Sequence, residues 1–324
     1  MTEMQQQLKD RRRFYKTVTM VMAFSLVSFL FICYGNVLYR EAWLYYVKTF
    51  GDYRYEEFQI FIILCNLVTY GAPLLIFMPF KALPYKKTLA APKKSVKHLW
   101  LLIPTVIGGC YAVNIVLGLI LNRIGSNADR FFADSPEYPI SVAAIILSII
   151  TTAVMPAFFE EVMLRGIVSK ALLPYGKWFA VITSSVIFAA LHVQPFTMVF
   201  ALCFGLIAGY LYCETGSIWL CVLLHFLNNA MSVFREYAGR VVSDDSPQMM
   251  AYGYILLALA VFSLLGYAYY MVSGFTKTKD ITAKPPLEEY HISTVYKVNS
   301  TVFNVLTLAF LLVFGYEFIL RFYS

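Results

Sequence analysis

The sequence predicts an all-α polytopic membrane protein of about eight to nine transmembrane helices, counted at ~20 residues per span plus loops. Three observations carry this expectation. Apolar and aromatic residues make up 60% of the 324-residue chain and charged residues only 14%, where an average soluble domain has about 25% charge. The mean hydropathy is +0.66. The apolar residues also gather into nine stretches, most of them long enough to cross a bilayer. Together these exclude a soluble enzyme, a disordered chain and a disulfide scaffold.

The stretches are 17–39, 58–80, 99–121, 139–159, 178–193, 196–212, 217–234, 250–272 and 298–320. The first follows a basic head of Lys9, Arg11, Arg12, Arg13 and Lys16. It is too long for a signal peptide and has no small-x-small cleavage site before Tyr39, so it reads as an uncleaved span. With the N-terminus placed in the cytoplasm, the inside segments hold 18 of the 26 Lys and Arg and the outside segments 8. This asymmetry predicts an N-in, C-out protein; a multi-pass protein of the cell membrane is expected, with an internal membrane as the alternative. The net charge of +7 is then a record of topology, and no nucleic-acid partner is expected. The segment 81–97 has six lysines and no acid. It sets topology and can meet the headgroups of membrane lipids, the expected partners of such a chain.

Smaller signals agree. Trp43, Trp100, Trp178 and Trp219 all fall at or just beyond span ends, as in interfacial belts. None of the six cysteines forms a CxxC pair, so they read as small buried hydrophobes. Gly205 and Gly209 form a GxxxG suited to close helix packing. The segments 235–247 and 274–296 read as polar linkers.

Ionisable groups inside spans are costly and mark candidate sites. Here they are few: Glu160, Glu161 and Arg165 after the fourth stretch, His192 in the fifth and His225 in the seventh. His98 and His291 fall in loops. Glu161 and Arg165 are four apart and can pair on one helix face. Glu160 points about 100° away and lacks that partner, which suits a general base or acid. His225 and Asn229 share a face, with Asn228 a rival one residue earlier. Phe188 can wall one side of His192. Glutamate, two histidines and an asparagine on three helices are the parts needed to hydrolyse a peptide bond with activated water.

These residues also carry a resemblance. Phe159-Glu160-Glu161-Val162-Met163-Leu164-Arg165 contains EExxxR, Phe188-Ala189-Ala190-Leu191-His192 contains FxxxH, and His225-Phe226-Leu227-Asn228-Asn229 contains HxxxN. In this order, on successive apolar stretches, the three motifs resemble the CAAX-protease and bacteriocin-processing (CPBP, abortive-infection-like) intramembrane proteases. The resemblance implies a catalytic core at 139–234, between N-terminal (1–138) and C-terminal (235–324) membrane regions. It implies that Glu160 activates water, that His192 shares that water, that His225 and Asn229 stabilise the oxyanion, and that Glu161, Arg165 and Phe188 support them. It further implies a peptide or protein substrate, either prenylated or of the bacteriocin type. HExxH is absent, and a metal-free reaction is expected. The alternative is zinc held by His192 and His225 with a carboxylate. Two rival functions share the architecture: a catalytically silent immunity or scaffold protein, and a proton-coupled transporter.

Strict alternation of spans raises a difficulty. It puts Glu160 at the inner end of span four and His192 near the outer end of span five, ~30 Å apart. A catalytic cluster requires instead that span four continue as one helix to about Leu173, bent at Pro156, with a short span five displaced towards it.

Overall fold

A computed structural model describes residues 3–50, 55–80, 83–84, 89, 99–124, 140–242, 246–272, 290 and 292–323. The lysine-rich segment 81–97, most of the linker 274–296, and His98 and His291 lie largely or wholly outside these residues. Among the described residues every regular element is a helix. In chain order they are α1 (Glu3–Phe50), α2 (Tyr55–Phe77), α3 (Leu99–Ile124), α4 (Val142–Tyr175), α5 (Lys177–His192), α6 (Pro195–Thr215), α7 (Ile218–Val241), α8 (Pro247–Val272), α9 (Thr294–Val302) and α10 (Val305–Tyr323).

Six of these are long and apolar enough to cross a membrane, or seven if α9 and α10, bent by 56° at their junction, form one span. α5 and the segment Met250–Gly266 of α8 are shorter apolar helices. The protein is therefore an all-α polytopic membrane protein, and each of the nine apolar stretches falls on a helix or helix pair. The boundaries differ from expectation in four places. α1 extends well past 17–39 at both ends, because its charged flanks are rich in good helix formers that hydropathy does not detect. α4 continues beyond Phe159 to Tyr175. Residues 235–241, expected in a linker, complete α7. The last stretch breaks after Val302, where Asn304 caps α10: its Oδ1 accepts from the Leu306 N–H at 3.0 Å, and its Nδ2 donates to Thr19 Oγ1 at 2.8 Å.

α1 buries Phe14, Val18, Val21, Met22, Phe24, Phe29 and Cys33 along one face, at the i, i+3/i+4 spacing of an amphipathic helix. The hydroxyls of Ser25 and Ser28 on that face donate to the carbonyls of Val21 and Phe24, which satisfies them without water. The end of α4 rests here. The Tyr175 ring meets Phe14 edge-on at 4.9 Å, and its carbonyl accepts from Lys297 Nζ. Gly176 (φ 134°) then turns the chain into α5.

α5 and α6 pack tightly through the GxxxG. A Cβ at Gly205 would lie 3.1 Å from Ser185 Cβ and 3.3 Å from Phe188 Cδ1, and one at Gly209 3.5 Å from Val181 Cγ1. None of the six cysteines is in a disulfide, and Cys33, Cys110, Cys213 and Cys221 are buried.

α4 lies between α2 and α7. Tyr55 of α2 bonds Ser148 at 2.7 Å, Gln59 Oε1 accepts from Thr151 at 2.8 Å, and Tyr70 reaches Glu160, so α2 runs parallel to α4. On α7, Tyr237 meets Ser148 while His225 meets Glu161, so α7 runs antiparallel.

Candidate active site

Glu160 sits near the middle of α4, between two wide helical turns, Ile149–Val154 and Val162–Ser169. In the first of them the Met155 N–H donates five residues back, to Ile150 O. Turns of this kind occur mostly as local bulges and often at functional sites. The next residue, Pro156, has no N–H and leaves the Thr152 carbonyl without its α-helical donor. Asn229 Nδ2 of α7 supplies that donor at 3.1 Å, and Asn229 Oδ1 accepts from Asn228 Nδ2 at 3.1 Å. Asn229 thus fastens α7 to the proline turn of α4. Asn229→Ala is expected to cost about 1 kcal/mol. Adding Pro156→Ala should restore the melting temperature, because the new N–H at position 156 takes the Thr152 oxygen, but should not restore activity. Melting and cleavage assays on both variants check this.

One turn on, Glu161 and Arg165 are both 0% exposed. Arg165 Nη1 donates to Glu161 Oε1 at 2.9 Å, and Nη2 donates to the Gly205 carbonyl at 3.1 Å. The guanidinium lies 5.1 Å over the Phe188 ring. Glu161 Oε1 also accepts from His225 Nδ1 at 3.0 Å. A carboxylate paired with arginine can only accept, so Nδ1 of His225 carries a proton and Nε2 faces the other way. Facing it is Glu160 Oε2, at 3.9 Å.

Glu160 is 8% exposed. Its Oε1 accepts from Tyr70 Oη at 3.1 Å. Its Oε2, together with Glu161 Oε2 and Arg165 Nε, is buried with no hydrogen-bond partner in the protein. The gap between Glu160 Oε2 and His225 Nε2 is too long for a hydrogen bond. It is short enough for one oxygen atom placed beside it to bond both.

His192 is the last residue of α5. Its Nδ1 lies 2.9 Å from the Phe188 carbonyl, which can only accept, so Nε2 of the neutral ring carries the lone pair. The chain then turns sharply. Val193 has φ 56° and ψ −42°, and the Gln194 N–H donates to His192 O at 2.6 Å. This is a three-residue turn of the strained, positive-φ kind. A β-branched residue there is an outlier, held in place by the burial of its side chain. Pro195 starts α6 directly afterwards. Phe188 is the wall shared by the cluster: its ring centroid is 4.8 Å from His192 and 5.9 Å from His225. Phe204 packs beside it, its ring centroid 5.0 Å from His225 and 6.2 Å from Phe188.

The structure thus brings Glu160, Glu161, Arg165, Phe188 and His225 into one cluster, with His192 on the Phe188 ring and Asn229 one turn along α7. The continuation of α4 through Glu160 is what permits it. Two contributors carried no signal in the sequence. Tyr70 is one of 24 tyrosines in a stretch without a motif, and Phe204 is an ordinary apolar residue of α6.

A metal needs a ligand set. Among the described residues no group of three His, Cys, Asp or Glu side chains could hold a metal ion. Nδ1 of both histidines bonds an oxygen, which leaves only Nε2 of each to ligate, and Glu161 Oε1 is shared between Arg165 and His225. The alternative of zinc on His192, His225 and a carboxylate therefore has no assembled three-ligand set among the described residues.

No curated protein and no solved structure matches the chain. Residues 142–231, which include every motif residue of the cluster, match the family model described as type II CAAX prenyl endopeptidase Rce1-like, in agreement with the resemblance to the CAAX-protease (CPBP) family that the three motifs carry.

Proposed function

We propose that the protein is an intramembrane endopeptidase that hydrolyses a peptide bond with water activated by Glu160, without a metal. The observation that carries this reading is the buried Oε2 of Glu160. It has no hydrogen-bond partner and faces His225 Nε2 across 3.9 Å.

Charge balance supports the division of labour. With a proton on each ring nitrogen of His225, the four groups Glu160, Glu161, Arg165 and His225 sum to zero, the arrangement favoured in a low-dielectric interior. In that state Glu160 is an available base and Nε2–H of His225 an available donor. Water bound at Glu160 Oε2 attacks the scissile carbonyl carbon, and Glu160 takes its proton. His192 Nε2 accepts the second water hydrogen and orients the lone pair. The developing oxyanion is met by His225 Nε2–H and by the remaining amide hydrogen of Asn229. Glu160 then passes its proton to the leaving amine, and the C–N bond breaks. Glu161 and Arg165 touch no reacting atom. They hold His225 in the tautomer and direction that this needs.

The description of the matched family supports a prenylated CAAX-type protein as substrate, with a bacteriocin-type peptide as the other candidate. The charge asymmetry supports an N-terminus in the cytoplasm. The test is cleavage of a farnesylated CAAX reporter peptide by the purified full chain, with and without chelator. We expect cleavage that chelator leaves unchanged. Loss of activity in chelator, restored by zinc, would overturn the metal-free mechanism. Absence of cleavage of both prenylated and unprenylated reporters would overturn the peptidase reading.

A further inference from the structure

We infer that Tyr70 of α2 is a positioning residue for Glu160, so that the active site is not complete within the Rce1-like segment 142–231. The inference rests on the reading of Glu160 as the water-activating base and adds a group that none of the three motifs contains.

The phenol donates to Glu160 Oε1 at 3.1 Å. This leaves Oε2 as the oxygen that faces His225. The terminal torsion of a glutamate is broad and roughly two-fold, so without an anchor the carboxylate is free to rotate. Rotation has a specific consequence here. Glu160 Oε2 and His225 Nε2 are 3.9 Å apart, and a charge-assisted hydrogen bond forms at about 2.7–2.9 Å. A shift of roughly 1 Å would join base and donor directly and use up both. The Tyr70 hydroxyl opposes that collapse by holding the other oxygen.

Tyr70 is itself held in three ways. Its ring stacks on Phe159 with centroids 5.6 Å apart and planes 7° from parallel. Its neighbour Thr69 bonds Tyr39 of α1 at 2.5 Å, at a point where a Cβ on Gly35 would lie 2.7 Å from Thr69 Oγ1. Further along α2, the bonds from Tyr55 to Ser148 and from Thr151 to Gln59 set the register of α2 on α4. Three turns of helix separate Gln59 from Tyr70 and return both to the same face of α2. The N-terminal region therefore delivers a hydroxyl to the glutamate at a fixed depth.

Tyr70→Phe removes only the hydroxyl and keeps the stacked ring. In the full chain, assayed on the farnesylated reporter, kcat should fall about ten- to a hundred-fold, the range for losing a hydrogen bond to a charged group. KM and the melting temperature should stay unchanged. Glu160→Asp withdraws the carboxylate by one methylene from the phenol, so adding Tyr70→Phe to it should lower the residual rate by less than two-fold. A purely structural tyrosine would give independent, multiplying losses and a lower melting temperature. Wild-type kcat in Tyr70→Phe, a change confined to KM, or fully multiplicative losses would overturn the inference. If Glu160→Gln is inactive while Tyr70→Phe is fully active, only the role of Tyr70 fails. If Glu160→Gln cleaves normally, the water-activation reading fails and the inference falls with it.

Discussion

Glu160→Gln abolishes cleavage while the protein stays folded: this is the largest effect expected of any substitution. The amide keeps the shape of the carboxylate, and its oxygen can still accept from Tyr70. It cannot take a proton from water. Removing a general base costs about 10²–10⁴-fold, which puts the variant at the floor of a reporter assay. Folding should be spared for an electrostatic reason. With position 160 neutral, His225 no longer needs its second proton, and the Glu161–Arg165 pair stays balanced. The melting temperature in detergent should therefore match that of the wild type. His192→Ala should be comparably inactive, because it removes the acceptor of the second water hydrogen and leaves the Phe188 edge uncovered. Full activity in both variants would sink the reading.

The second large effect is on stability. Arg165→Met strands the carboxylate of Glu161, which is 0% exposed, and frees the Gly205 carbonyl. Breaking a buried ion pair from one side costs about 3–5 kcal/mol, enough to unfold many membrane proteins on extraction. Equilibrium unfolding in mixed micelles measures it. Glu161→Gln combined with Arg165→Met should regain much of this stability, since no unpaired charge is left, yet should remain inactive because His225 Nδ1 has lost its carboxylate. Arg165→Lys should not substitute. One ammonium cannot hold Glu161, reach Gly205 and lie over Phe188 as the planar guanidinium does. A double variant no more stable than Arg165→Met would refute this account.

Much of this was legible in the sequence because membranes simplify the problem. Charge is scarce in spans, so Glu160, Glu161, Arg165, His192 and His225 stood out, and four-residue spacing put Glu161 and Arg165 on one face before any coordinates. The partner of His225 was not legible. Spacing matches it to Asn229, whereas in three dimensions its Nδ1 serves Glu161, 64 residues away in sequence, and Asn229 serves the carbonyl orphaned by Pro156. Tyr70 was hidden for the same reason: a contact across 90 residues leaves no local pattern. Helix ends were also misread where hydropathy and helix formation diverge. α4 runs on through Glu160, Glu161 and Arg165 because Arg165 pairs with Glu161 and Tyr70 donates to Glu160, and an apolar count stops at the first of them.

The two wide turns of α4 have a consequence for chain length. Each accommodates one residue more than an α-helical turn. Deleting one residue from 149–154 can therefore be absorbed by closing the wide turn to a regular one, which leaves Glu160 at its present angle to Ser148. An inserted residue has no such outlet and would turn everything after it by about 100°. Glu160 would then swing off the Tyr70 hydroxyl while Ser148 kept its hold on Tyr55. The stretch between Ser148 and Glu160 thus carries one residue of slack in one direction only: it can shorten by one without disturbing the phase between the half of α4 that docks on α2 and the half that carries the glutamates, and it cannot lengthen.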